Sequence, residues 1–88
     1  MMNKKQYANG QKTFEQASCL LTYFFKDGKV KAEGISIEGV MQGEWKFYRE
    51  TGQLWQTGNC KDNQKHGKWF RYDKNGHLEY EEMFDKGK

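Results

Sequence analysis

The sequence has no proline anywhere in its 88 residues. Proline breaks ladders of paired strands, so every backbone N–H is left free to donate. Aliphatic residues are scarce too: apolar types make up 35% of the chain and the mean hydropathy is −1.14. No apolar run approaches the roughly 18 residues of a membrane span. The longest, Leu20 to Phe25, is short and lies behind the polar stretch Met1 to Asn9, so it does not read as a secretory leader. A cytoplasmic location is the expectation. Charge of one sign is also lacking. Fifteen Lys and Arg against twelve Asp and Glu leave a net +3, with the two signs interleaved. There is no basic block of the kind that marks nucleic-acid tails, and nucleic acid is not an expected partner.

Aromatic residues supply what the aliphatics do not. Six Phe, five Tyr and three Trp make up 16% of the chain, which separates it from disordered sequences of similar polarity. Each such side chain buries ~150–250 Å². A few large flat groups suit a thin structure better than a thick aliphatic core.

Ten glycines fall on a period. Gly28, Gly52 and Gly76 are 24 residues apart, and Val30, Leu54 and Leu78 keep the step. So do Gly34 and Gly58, Gly43 and Gly67, Trp45 and Trp69, and the column Phe24, Tyr48, Tyr72. Self-similarity at a fixed period is the signature of a repeat architecture. Asn9-Gly10 begins an earlier copy at a step of 18, so that unit is degenerate. The chain is read as one repeat domain over 1–88, with a degenerate unit at 3–19 and hairpin units at 20–42, 43–66 and 67–88.

Asn-Gly and Asp-Gly between alternating runs signal β-hairpins with two-residue type I′ turns. The turn glycines are Gly10, Gly28, Gly52 and Gly76. A looser turn is expected between hairpins, near 39–43 and 63–67. Strands are expected over 3–8, 11–16, 20–26, 29–37, 43–50, 53–61, 67–74 and 77–84. A two-residue loop sets Trp45 across from Gly58, Phe47 across from Gln56 and Arg49 across from Leu54. It likewise sets Leu21 against Gly34, Tyr23 against Ala32 and Phe25 against Val30. One face then carries Leu21, Tyr23, Phe25, Val30, Trp45, Phe47, Leu54, Trp69, Leu78 and Tyr80. The other mixes Phe24, Tyr48, Trp55, Phe70 and Tyr72 with Lys31, Lys46, Lys68, Glu79 and Glu81. A G1 bulge at the turns would move one strand of each pair to the opposite face.

Gly43-Glu44-Trp45-Lys46-Phe47-Tyr48-Arg49-Glu50-Thr51-Gly52-Gln53-Leu54 resembles the MORN repeat, in its bacterial variant. Gly67-Lys68-Trp69-Phe70-Arg71-Tyr72-Asp73-Lys74-Asn75-Gly76-His77-Leu78 resembles it equally. The likeness covers residues 20–88 well and 3–19 poorly. It departs at Thr51, which replaces the turn Asn, and at Glu82, which replaces a Gly. The resemblance implies an all-β fold: antiparallel hairpin repeats in an elongated, twisted, single-layer meander. It also implies work in protein–protein contact and assembly. Some members of the family are linked to acidic membrane lipids, and the bacterial variant occurs in antitoxin-like and surface proteins.

Candidate chemistry is sparse. His66 and His77 sit at turns a strand apart, without the spacing of a zinc site. Cys19 and Cys60 lie three strands apart, ~14 Å at the usual strand spacing, too far for a disulfide. Both read as free thiols filling small positions on the apolar face. No nucleophile–base set, phosphate loop or carboxylate pair stands out, so neither an enzyme nor a cofactor is expected. Glu79, Glu81 and Glu82 read as an edge strand kept soluble. The candidate interaction face is Leu21, Tyr23, Phe25, Trp45, Phe47 and Leu54. It would receive a protein partner, a second copy of the chain included. The alternative is an anionic lipid surface meeting Lys26, Lys29, Lys31, Lys46, Lys68 and Lys74, diluted by Glu33, Glu44, Glu50 and Glu79.

Overall fold

A computed structural model of the chain describes residues 6–85. Seven strands follow one another: β1 (Phe14–Ala17), β2 (Leu20–Phe24), β3 (Val30–Ile37), β4 (Val40–Tyr48), β5 (Leu54–Lys61), β6 (Gln64–Tyr72) and β7 (Leu78–Phe84). They form a single antiparallel sheet in chain order, each strand paired with the next. No helix occurs among the described residues. The expected first strand, 3–8, lies partly outside the described residues. Its described part and the start of the second strand make only the isolated bridge Gln6–Lys12.

The two kinds of turn are the reverse of the sequence expectation. The tight two-residue loops join the hairpins. Ile37 pairs with Val40 and Lys61 with Gln64. Their central residues, Glu38-Gly39 and Asp62-Asn63, all have positive φ, from 52° to 83°, as a type I′ turn requires. β4 and β6 therefore begin three residues before the expected 43 and 67.

The Gly-marked turns carry three-residue loops instead. Arg49 N donates to Gln53 O at 2.8 Å and Gly52 N to Arg49 O at 2.8 Å. The same pair of bonds recurs at Tyr7/Gly10/Gln11, Phe25/Gly28/Lys29 and Asp73/Gly76/His77. Only the glycine has positive φ, from 85° to 97° in the four copies. This is a type I turn closed by a G1 bulge. In three of the four copies the residue before the glycine serves through its side-chain oxygen rather than through left-handed backbone; in the fourth, Asp73 Oδ1 accepts from His77 N instead. Asn9 Oδ1 accepts from Gln11 N at 3.0 Å, Asp27 Oδ1 from Lys29 N at 2.9 Å, and Thr51 Oγ1 from Gln53 N at 3.4 Å. Thr51 thus replaces the Asn by a weaker version of the same bond.

A second irregularity restores the ladder. Tyr48 pairs with Leu54 but Phe47 pairs with Gln56, so Trp55 is an unpaired extra residue. Lys31 and Glu79 are skipped in the same way one unit before and after. Beyond these bulges the register is the one a two-residue loop would have set: Trp45 opposite Gly58, Leu21 opposite Gly34 and Tyr23 opposite Ala32. Between turn and bulge the pairing shifts. Leu54 faces Tyr48 instead of Arg49, and Val30 faces Phe24 instead of Phe25. Val30, Leu54 and Leu78 therefore side with Phe24, Tyr48 and Tyr72, away from the face first assigned to them. Bulges also raise local twist, and the sheet measures 37 × 33 × 24 Å. Its 24 Å depth far exceeds one flat layer, about 10 Å from face to face.

Trp45 and Trp69 are each locked to the preceding hairpin. Trp45 pairs with Gly34 and Trp69 with Gly58. A β-carbon added at either glycine would clash with the indole ring. Trp45 Nε1 donates to Ile35 O at 2.9 Å and Trp69 Nε1 to Asn59 O at 2.8 Å. The ring that covers a glycine thus belongs to the next unit, where the sequence suggested its own. The buried cluster is Leu21, Ala32, Trp45, Cys60 and Trp69, with Trp45 fully inaccessible.

Candidate functional site: the aromatic face

Alternation along β2, β4 and β6 sends Leu21 and Tyr23, Trp45 and Phe47, and Trp69 and Arg71 to one side of the sheet. Six rings run across that side from β1 to β7. Successive centroids are 6.3 Å apart for Phe14–Tyr23, 6.4 Å for Tyr23–Trp45, 6.2 Å for Trp45–Phe47, 5.9 Å for Phe47–Trp69 and 6.5 Å for Trp69–Phe84. These spacings lie within the favoured range for aromatic pairs.

Of the six residues proposed from sequence, Leu21, Tyr23, Trp45 and Phe47 meet on this side. Leu21 and Trp45 are buried, Phe47 is half-buried and Tyr23 is exposed. Phe25 and Leu54 are not packed into the cluster. Phe25 stands at the hairpin tip under the Lys31 ammonium, 5.9 Å from its ring. Leu54 is carried to the other side by the bulge at Trp55. Phe14, Ala32 and Phe84 were absent from the expected set. The period held the signal for Phe84, which shares a column with the buried Ser36 and Cys60. Phe14 had none, because its unit is out of step.

Two cations stand on the same side. Lys65 Nζ lies 4.9 Å above Trp69 and 5.0 Å above Phe84. The Arg71 guanidinium lies between Tyr80, at 4.6 Å, and Trp55, at 5.6 Å. Trp55 was assigned to the opposite face. As the bulge residue it escapes strict alternation and reaches Arg71. It is half-buried, more exposed than Trp45 and Trp69.

On the far side, Tyr48 Oη donates to Glu33 Oε2 at 2.6 Å. Burial, then this bond and the Glu33 and Glu44 charges, push the phenol up to about 12. Lys68 pairs with Glu81 at 3.4 Å, Lys29 with Asp27 at 3.5 Å and Lys12 with Glu15 at 3.8 Å. The turn carboxylate of Asp73 is held below its ordinary range, chiefly by the backbone N–H of His77. Asp27 is held low in the same way by Lys29 N–H.

Cys60 is buried and its thiol is pushed up by desolvation. Cys19 is exposed at the β1–β2 turn, not in the small apolar position expected of it. Both thiols are free. Among the described residues no group of three or more His, Cys, Asp or Glu side chains is placed to hold a metal ion. No helix there is long and apolar enough to cross a membrane.

These features define a β-hairpin repeat protein whose unit locks to its neighbour through a Gly–Trp pair. The MORN repeat variant family model matches residues 41–62 and 65–86, together half of the chain. The chain belongs to that family, whose members are generally non-catalytic repeat modules, often with roles in binding or assembly. Each match spans one hairpin, β4–β5 and then β6–β7. No curated protein and no solved structure matches the chain.

Proposed function

We propose that this chain is a non-catalytic module that binds another protein through its aromatic face. The observation that carries the reading is the row of six rings on one side of a single sheet. The seven strands supply a single layer; its own side chains bury the centre of the row at Trp45 and Trp69 and leave other rings of that side accessible. Tyr23 within the row and Tyr80 beside it are each 40% exposed. Such partly exposed aromatics are enriched at protein interfaces. The lysine-to-lipid alternative has less support. Of its lysines, Lys29 and Lys68 each pair with a neighbouring carboxylate, which weakens any field they would project.

A photo-reactive amino acid in place of Tyr23, against one in place of Lys46 on the opposite side, tests this. The expected result is discrete cross-linked protein species from position 23 alone. Cross-links confined to position 46 would overturn the reading.

A further inference from the structure

We propose that Arg71 anchors a carboxylate of an acidic peptide segment that a partner protein lays on the aromatic face. This rests on the reading of that face as a docking surface and names the chemistry of what docks there. Arginine carries five N–H donors and no acceptor. Among the described residues, the Arg71 guanidinium donates to no acceptor and joins no ion pair, and its Nε is buried. Its neighbours are instead the rings of Trp55 and Tyr80, one within 4.6 Å and the other within 5.6 Å. Arg49, one strand pair earlier, also has a buried Nε without a partner, but its Nη2 is committed to Tyr72 O at 3.0 Å.

A guanidinium held between rings has lost rotamer freedom before any ligand arrives, so less is lost when it binds. Planar, pre-set donors suit a carboxylate, which can accept two parallel bonds. The period makes the substitution conspicuous. The column reads Tyr23, Phe47, Arg71, so a cation replaces the ring that this face carries in the other two units.

The surroundings select among anions. Lys65, Arg71 and Glu82 line one shallow depression with Trp69, Tyr80 and Phe84. Two cations and one carboxylate leave a single positive charge there, which matches one carboxylate better than a phosphate dianion. The rings beside it favour apolar side chains next to that carboxylate. The occupant is therefore a segment in which Asp or Glu alternates with aliphatic or aromatic residues.

Selection of a phage-displayed random dodecapeptide library on the intact chain tests this. The wild type should enrich peptides with Asp or Glu beside apolar residues. Arg71→Gln should keep the apolar enrichment and lose the acidic one. Where that variant does not fold, the ligand supplies the same comparison. A selected peptide should bind the wild type about tenfold more tightly than its copy with Gln and Asn for Glu and Asp. Its binding should alter tryptophan fluorescence in the wild type and by less in Trp55→Phe.

Apolar enrichment without acids would overturn the carboxylate site and leave the docking face intact. Failure to select any peptide overturns this inference. So does Arg71-dependent binding to vesicles of anionic phospholipid, which would give the site to a membrane. A wild-type dimer that Arg71→Gln dissociates would give it to a second copy and equally overturn the inference.

Discussion

Glycine and tryptophan act as one unit in this sheet. Trp45 lies on Gly34, and no side chain fits beneath the ring. Overpacking of that kind costs ~1–3 kcal/mol, and truncating a buried Trp to Ala costs ~3–5 kcal/mol. Leu21 occupies the Trp45 column one unit earlier, so Trp45→Leu is a substitution the fold already uses. Gly34→Ala should destabilise the wild type by about 1–3 kcal/mol and the Trp45→Leu variant much less. Urea unfolding of the double-mutant cycle measures this, and additive losses would mean that the ring does not rest on the glycine. Trp55→Ala should cost less than Trp45→Ala in the same assay.

Tyr48 offers a residue-scale check on the far side. Its phenol is raised to about 12 from 10.0, so the protonated form belongs to the folded state. The stability this contributes is fully present below the ordinary value of 10.0 and is lost as pH climbs through about 12. Spectrophotometric titration should show one late-ionising tyrosine, and Tyr48→Phe should remove that step.

At the scale of the hairpin, two irregularities hide each other. The three-residue loop takes one residue more than the Asn-Gly pattern suggests, and the bulge at Trp55 returns it. A two-residue loop therefore gives the right partners for Trp45 and Phe47 from the wrong turn. It fails only between turn and bulge, at Val30, Leu54, Leu78 and Trp55. The repeat period, the strand centres and the buried Trp column were legible because they depend on alternation and spacing. The turn type was not, because Asn and Asp suit both left-handed backbone and a side-chain bond to the second residue on. The Gly34–Trp45 lock was missed for a related reason: it joins neighbouring hairpins, whereas the hairpin signal speaks only within one. Arg71 was also missed, since a cation in an aromatic column draws notice only once the faces are fixed.

The two turn types make opposite predictions at Asp27. A type I′ loop would welcome glycine there. The observed turn keeps Asp27 out of left-handed backbone and uses its Oδ1 for Lys29 N at 2.9 Å. Asp27→Gly should therefore lower the urea midpoint, and an unchanged or higher midpoint would support the I′ loop.

The whole molecule is a sheet that stops without closing. β1 and β7 are its two edges. The Gly column ends at Glu82, which faces Trp69 in the ladder but has no β-carbon-free backbone for a further indole to cover. The buried cluster amounts to five side chains around Trp45. Leu20, Ile35, Ile37, Leu78 and Met83 are all at least 37% exposed besides Tyr23 and Tyr80. Scattered exposed apolar residues are ordinary in soluble proteins, but Tyr23 and Tyr80, exposed beside the buried Trp45 and Trp69, are the surface through which the proposed docking would occur. That is the central claim, and sedimentation velocity at micromolar concentration with a hydrophobic dye present tests it most directly. The account predicts either a species heavier than the 10.5 kDa chain or a monomer that binds the dye. A clean 10.5 kDa monomer that binds none would contradict it.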